Sequence, residues 1–150
     1  MGVTTYVHAG VVVDDLAEAV RFFTVLGLEC GEPMTAGGKW VDRIIGLRGT
    51  RVELVMANAP DGTGGLEIVT FHAPRREGGD GPPPAVNVPG VRHLAYQVDD
   101  MAAVVDAVRA GGWDLVGEVV DYEGLYLLAY VRGPEGLIVE LAEPLTRDGG

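Results

Sequence analysis

Val7-His8-Ala9-Gly10-Val11-Val12-Val13-Asp14-Asp15-Leu16 decides the fold, because its pattern returns as Arg92-His93-Leu94-Ala95-Tyr96-Gln97-Val98-Asp99-Asp100-Met101. In both stretches a His is followed six and seven residues later by paired Asp, and then by an apolar residue that opens a helical pattern. The copies stand 85 residues apart (His8 to His93), far beyond the period of a stacked-repeat protein, so the repeating unit is half of a domain.

Working outward from the first copy, Thr5 to Val13 reads as a strand rich in β-branched residues that stops at Asp14-Asp15. Asp15-Leu16-Ala17-Glu18 is a variant of the capping box, Leu16, Ala19, Val20, Phe23 and Leu26 recur at helical spacing, and Gly27 ends the helix. Strands are expected over 28–34, 51–57 and 66–71, with 35–38 as a loop and 40–47 open between short helix and strand. Pro60-Asp61-Gly62 turns the chain between the last two strands. The first half therefore reads βαβββ.

Around the second copy the order repeats: strand 91–98, helix 101–110 stopped by Gly111-Gly112, then strands 113–120, 125–131 and 137–141. The turn Pro134-Glu135-Gly136 stands where Pro60-Asp61-Gly62 stood, and each turn is followed within a few residues by a Glu among apolar neighbours, Glu67 and Glu140. The expected architecture is α+β: one domain over 1–150, with module one at 5–72, a linker at 73–90 too rich in Pro and Gly for regular structure, module two at 91–143, and a frayed tail at 144–150.

Composition narrows the partners. Twenty-two acidic against eleven basic residues give a net charge of −11, which repels phosphate backbones and excludes nucleic acid or an anionic membrane as the expected target. No apolar run is long enough to cross a bilayer, and Met1-Gly2-Val3-Thr4-Thr5 lacks the basic and apolar regions of a secretory signal, so a cytoplasmic location is expected. Cys30 is the only cysteine, so no internal disulfide can form, and Lys39 is the only lysine, which leaves little room for Schiff-base chemistry.

The chemistry sits on the strands. Side chains alternate, so His8 shares a face with Tyr6, Gly10 and Val12, His93 with Ala95 and Gln97, Glu67 with Val69 and Phe71, and Glu140 with Ile138 and Ala142. Each half offers one imidazole and one carboxylate. An unpaired carboxylate inside an apolar strand is costly by several kcal/mol, so a positive group is expected beside it. Two imidazoles and two carboxylates at matching points of a duplicated half suit a divalent transition metal. His72 falls out of parity with Glu67 at a strand end and reads as a surface residue.

Paired βαβββ modules with His on the first strand and Glu on the last resemble the vicinal oxygen chelate superfamily, which includes glyoxalase I, bleomycin resistance proteins and extradiol dioxygenases. The resemblance covers about residues 5 to 143. It implies an eight-stranded, cup-shaped sheet with helices outside, and a single divalent ion (Ni, Co, Mn, Fe or Zn) held by His8, Glu67, His93 and Glu140 with coordination sites left open for substrate oxygens. In glyoxalase-like and epimerase-like members a Glu on the last strand moves a proton on the carbon next to a chelated carbonyl, and Glu140 matches it. The implied activity is that of a metal-dependent lyase or isomerase acting on a small molecule, in a chain that pairs as a homodimer, as two-module relatives often do.

The departures narrow the substrate. Relatives that use glutathione usually carry an Arg four residues after the first His, where this chain has Val12. Epimerases of acyl-CoA tend to open the second module with a paired His, where Arg92-His93 stands. Two alternatives remain: an Fe(II) dioxygenase built on a His/His/Glu subset, and a metal-free module that sequesters an antibiotic between aromatic walls drawn from Trp40, Phe71, Trp113, Tyr126 and Tyr130. Arg43, Arg51 and Arg132 are the candidates for holding a substrate carboxylate.

Overall fold

Asp15 begins the first helix because its side chain can take the place of a missing carbonyl. A computed structural model describes residues 1–76, 79 and 81–145, and in it the Asp15 carboxylate accepts the Glu18 N–H at 3.0 Å at the start of α1 (Leu16–Leu26). The reciprocal half of a capping box is not made. Glu18 turns along the helix to Arg21 at 2.8 Å instead, an exposed pair that contributes little. Leu16, Ala19, Phe22, Phe23 and Leu26 face inward; Phe22 takes the innermost place expected of Val20, and its ring meets Phe23 edge-on at 5.1 Å.

The chain divides into two compact units, Met1–Gly81 and Pro82–Gly150. In the first, β1 (Ala9–Val12) pairs in parallel with β5 (Leu66–Ala73), which pairs antiparallel with β4 (Arg51–Asn58). The far edge of β4 carries β2 (Glu29–Cys30) and β3 (Met34–Gly37) one after the other, interrupted by Gly31-Glu32-Pro33. They are two pieces of one edge strand, so the five strands occupy four positions. Proline has no N–H to give to the ladder, which is why the expected continuous strand breaks there and resumes in the 35–37 segment read as loop.

The second unit repeats this plan. Here β6 (His93–Gln97) runs parallel to β10 (Ile138–Pro144), β10 pairs with β9 (Tyr126–Arg132), and β9 carries β7 (Asp114–Leu115) and β8 (Val120–Tyr122) along its other edge. The helix α3 (Met101–Ala110) has Asp100 as its cap, accepting Ala103 N–H at 3.0 Å, and Glu143 accepts Met101 N–H at 2.6 Å. Each module is thus βαβββ in strand position, an α+β fold of two tandem modules with two five-stranded sheets.

Other boundaries differ from expectation as well, among them the strand expected over 113–120, which is only Asp114–Leu115, with Val120 opening β8. Residues 5–8 lie outside β1, because β5 starts at Leu66 and offers nothing for them to pair with. The ambiguous 40–47 segment is a helix, α2 (Lys39–Ile45), closed by Gly46 in the left-handed region at φ 74°. Asp42 secures the turn that follows, accepting Gly49 N–H and Thr50 N–H, both at 2.9 Å. No helix among the described residues is long and apolar enough to cross a membrane. The tail over 146–150 lies outside the described residues, as do Glu77, Gly78 and Asp80 of the expected linker.

Candidate functional site

Parallel pairing of the first and last strands brings each His to its Glu. In the first unit Gly10 lies opposite Glu67, so His8, two residues earlier on the same side, stands diagonally across from that carboxylate. His8 Nε2 lies 3.4 Å from Glu67 Oε2. In the second unit Ala95 lies opposite Glu140 and the same diagonal sets His93 Nε2 3.8 Å from Glu140 Oε2. The residue opposite each Glu is small, Gly10 or Ala95, which clears the diagonal for the imidazole.

All four side chains are partly open, His8 at 37% and Glu140 at 28%, so a ligand from solvent can reach them. The 3.8 Å separation is beyond a hydrogen bond and 3.4 Å is at its weak limit. Two ligands each about 2.1 Å from one ion stand roughly 3.0–3.4 Å apart, close to the spacing found here. The donor set, imidazole nitrogen with carboxylate oxygen, suits a borderline divalent ion. Within either unit taken alone, no three His, Cys, Asp or Glu side chains among the described residues gather to hold a metal.

His8 precedes the strand, and a backbone contact holds it. Ala9 N–H donates to Gly65 O at 3.0 Å, and a Cβ built on Gly65 would lie 2.7 Å from Val7 O and 3.3 Å from the His8 Cβ. Only glycine permits that approach. Around His93 the support is aromatic: Tyr130, directly opposite Glu140 in the β9–β10 ladder, places its ring 5.1 Å from the imidazole at 38°. The position opposite Glu67 is Met56, so the two modules differ here.

Glu67 also borders a hollow of about 460 Å³ in the first unit, between the sheet and α2. Its floor is Gly10, Val12, Leu54, Val69 and Phe71, and Trp40 and Ile44 are among the side chains that overhang it. Glu67 is the one charged residue among the described residues that line it. Beyond Val12 and Phe71 a second hollow, of about 560 Å³, reaches Arg75 and Arg76, the latter bound to Asp14 at 2.7 Å.

Of the other residues singled out from sequence, Trp40 and Phe71 do line the hollow. Arg51 borders a separate recess with Trp40 and His72. Arg132 is structural, its Nη1 donating to Gly136 O at 3.1 Å and Pro84 O at 3.2 Å. His72 is exposed and faces Glu53 at 3.3 Å. Gly65, Ile44 and Ile45 were missed. The 40/44 and 41/45 apolar spacing of α2 is the signal that could have found the last two, but seven residues are too few to separate helical from strand periodicity.

Comparison with known proteins bears on the family and the fold. A family model for the glyoxalase/bleomycin resistance protein/dioxygenase superfamily matches residues 7–130. A crystal structure of a glyoxalase family protein from Bacillus cereus superposes with a TM-score of 0.91 at 34% identity, covering 97% of each chain. A glyoxylase/bleomycin resistance protein/dioxygenase domain from Frankia sp. gives 0.66 at 16% identity, over 95% of this chain and 99% of that one. The trypanothione-dependent glyoxalase I of Leishmania major gives 0.59 at 20%, over 91% and 84%. These two show the fold alone. No curated protein matches the chain.

Proposed function

Because the chain belongs to the glyoxalase/bleomycin resistance protein/dioxygenase superfamily, we propose that it is a metal-dependent lyase or isomerase. In this reading it moves a proton on the carbon next to a chelated carbonyl of a small molecule. The observation that carries it is the duplicated pair, His8 with Glu67 and His93 with Glu140, each on parallel strands and each partly open. The reading assigns His8, Glu67, His93 and Glu140 as its metal ligands, each pair offering an imidazole nitrogen and a carboxylate oxygen. When bound, such an ion polarises a carbonyl and favours loss of the neighbouring proton.

The protein's own part falls to Glu140. Its carboxylate takes the proton from carbon as that C–H bond breaks and an O–H bond forms, and returns the proton to the adjacent carbon in an isomerisation. Tyr130 braces His93 beside it, which holds the imidazole's orientation while the carboxylate moves. A homodimer belongs to the same proposal. The His/Glu face of the second sheet leaves large apolar side chains open to water, Val120 at 48% and Tyr122 at 51%, and covering such surface is what a partner would do.

The test is metal analysis followed by solvent deuterium exchange into 2-oxo compounds and acyl thioesters. Dialysis against Ni, Co, Mn, Fe or Zn is expected to load the protein, and Glu140→Gln to remove exchange while the fold, read by circular dichroism, persists. Failure to retain any of the five metals overturns the proposal. Oxygen uptake with catechols under reducing conditions would point to a dioxygenase instead, and ligand affinity unchanged in His8→Ala and Glu140→Ala to a sequestering module.

A further inference from the structure

Resting on the metal-dependent reading above, we propose that the hollow beneath α2 seats the apolar body of the substrate. The substrate class is then an oxygen-chelating head joined to an aryl or branched alkyl group, not to a peptide or an anion. The hollow, at about 460 Å³, falls within the range of small-molecule sites. Val12, Leu54 and Phe71 rise from the sheet, and Trp40, Ile44 and Ile45 descend from the helix.

Among the described residues lining it, the Trp40 indole N–H and the Glu67 carboxylate are the only polar side-chain groups. A peptide or phosphonate placed there would lose water and gain no partner, whereas an aryl group would lose nothing and bury its area. Glu67 fixes which end of the ligand goes where, because the same carboxylate faces His8 at 3.4 Å. A ligand whose oxygens reach that pair therefore projects its body under α2. Trp40 is 63% exposed and Ile44 74%, a rim of large apolar side chains left for a ligand to cover.

The wall is confined to one module. Where the first unit has α2 between β3 and β4, the second has only Glu123-Gly124-Leu125 between β8 and β9. The two His/Glu pairs therefore differ in what lies beside them, and only the first has an apolar hollow roofed by a helix.

The test uses the full-length, nickel-loaded chain and two probes with one chelating head, acetohydroxamate and benzohydroxamate, titrated by calorimetry. Benzohydroxamate is expected to bind about tenfold more tightly or better, since its ring is buried where the methyl group is not. The ratio is expected to fall toward one in Trp40→Ala, with its nickel content unchanged. Gly10→Leu is kept for the metal-free measurement, because Gly10 also clears the diagonal between Glu67 and His8; a Cβ there meets nothing within 4 Å, so a larger side chain grows into the hollow. Equal affinities in the unsubstituted protein overturn this proposal and leave the metal reading intact.

A metal-independent arm separates the two. Neutral 2-naphthol added to chelator-treated protein is expected to shift the amide resonances of residues 39–45, and to do so far less in Gly10→Leu. Absence of those shifts overturns the pocket whatever the nickel result. Loss of self-association in Ile44→Asp with the hydroxamate ratio preserved would identify α2 as a contact between copies, and overturn it too.

Discussion

Gly65 and Asp42 lie outside the His/Glu pairs, and each holds backbone in place around the first of them or its hollow. Gly65→Ala forces a Cβ to within 2.7 Å of Val7 O and 3.3 Å of the His8 Cβ, so the backbone that presents His8 must shift. The expected outcome is a loss of metal affinity on the order of 10–100-fold, as for other supporting groups, with about 1–3 kcal/mol of overpacking. Isothermal titration with nickel and chemical denaturation would read the two effects separately. Unchanged affinity would show that His8 is held by something other than this approach.

The Asp42 carboxyl is held below the usual carboxylate range by the Thr50 side chain and by the Thr50 and Gly49 backbone N–H groups. A lowered folded value means that its contribution is present above the ordinary value of 3.8 and is lost as pH falls through the lowered one. Amide exchange at Gly49 and Thr50 should therefore accelerate in acid relative to neighbouring turns, and Asp42→Asn should show the fast rate at neutral pH. Equal exchange in the two proteins at neutral pH would remove Asp42 from its role at the turn after α2.

At the scale of elements, the two modules offer an internal control. Both long helices start at the second Asp of the pair, yet among the described residues α1 has the Asp15 side chain alone at its first turn while α3 has Asp100 and Glu143 together. Two carboxylates near one helix start share the same orphan N–H groups and partial positive charge. Asp15→Ala is accordingly expected to lower stability by about 0.5–2 kcal/mol and Asp100→Ala by less, with urea denaturation as the measurement. Equal losses would mean that Glu143 does not substitute for the cap. The same comparison explains the asymmetry of the sheets: the interrupted edge strand recurs in both, and the helix above it in one only.

At the scale of the whole molecule, the four-ligand proposal has a thermodynamic signature. An ion that binds only the folded chain stabilises it by RT ln(1 + [L]/Kd), about 2.7 kcal/mol at one hundred times Kd. If one ion draws on both pairs, His8→Ala and His93→Ala should each abolish the nickel-induced rise in Tm. If each pair binds by itself, either variant should retain about half of it. Scanning calorimetry with and without nickel distinguishes the outcomes, and the second would overturn the shared site.

The duplication, the βαβββ order and the His and Glu of each module were legible in the chain because they rest on local periodicity and on one motif written twice. His8 with Asp14-Asp15, and His93 with Asp99-Asp100, name the strand-to-helix junctions without reference to anything distant. The partnership of His8 with Glu67 was only implied, since it depends on which strands run side by side. That register, Gly10 against Glu67 and Ala95 against Glu140, is fixed by hydrogen bonds between segments far apart in sequence.

What tertiary structure alone decided is of the same kind. The helical state of 39–45 and the need for glycine at 65 arise from neighbours that linear order does not reveal, whereas the break at Pro33 was written in the chain by a residue with no N–H. Short segments follow their surroundings, because too few residues share one preference to outweigh the contacts around them. The sequence determined which side chains were available for chemistry; packing of β1 on β5, β6 on β10 and α2 over its own sheet decided which of them meet, and what a ligand would find beside them.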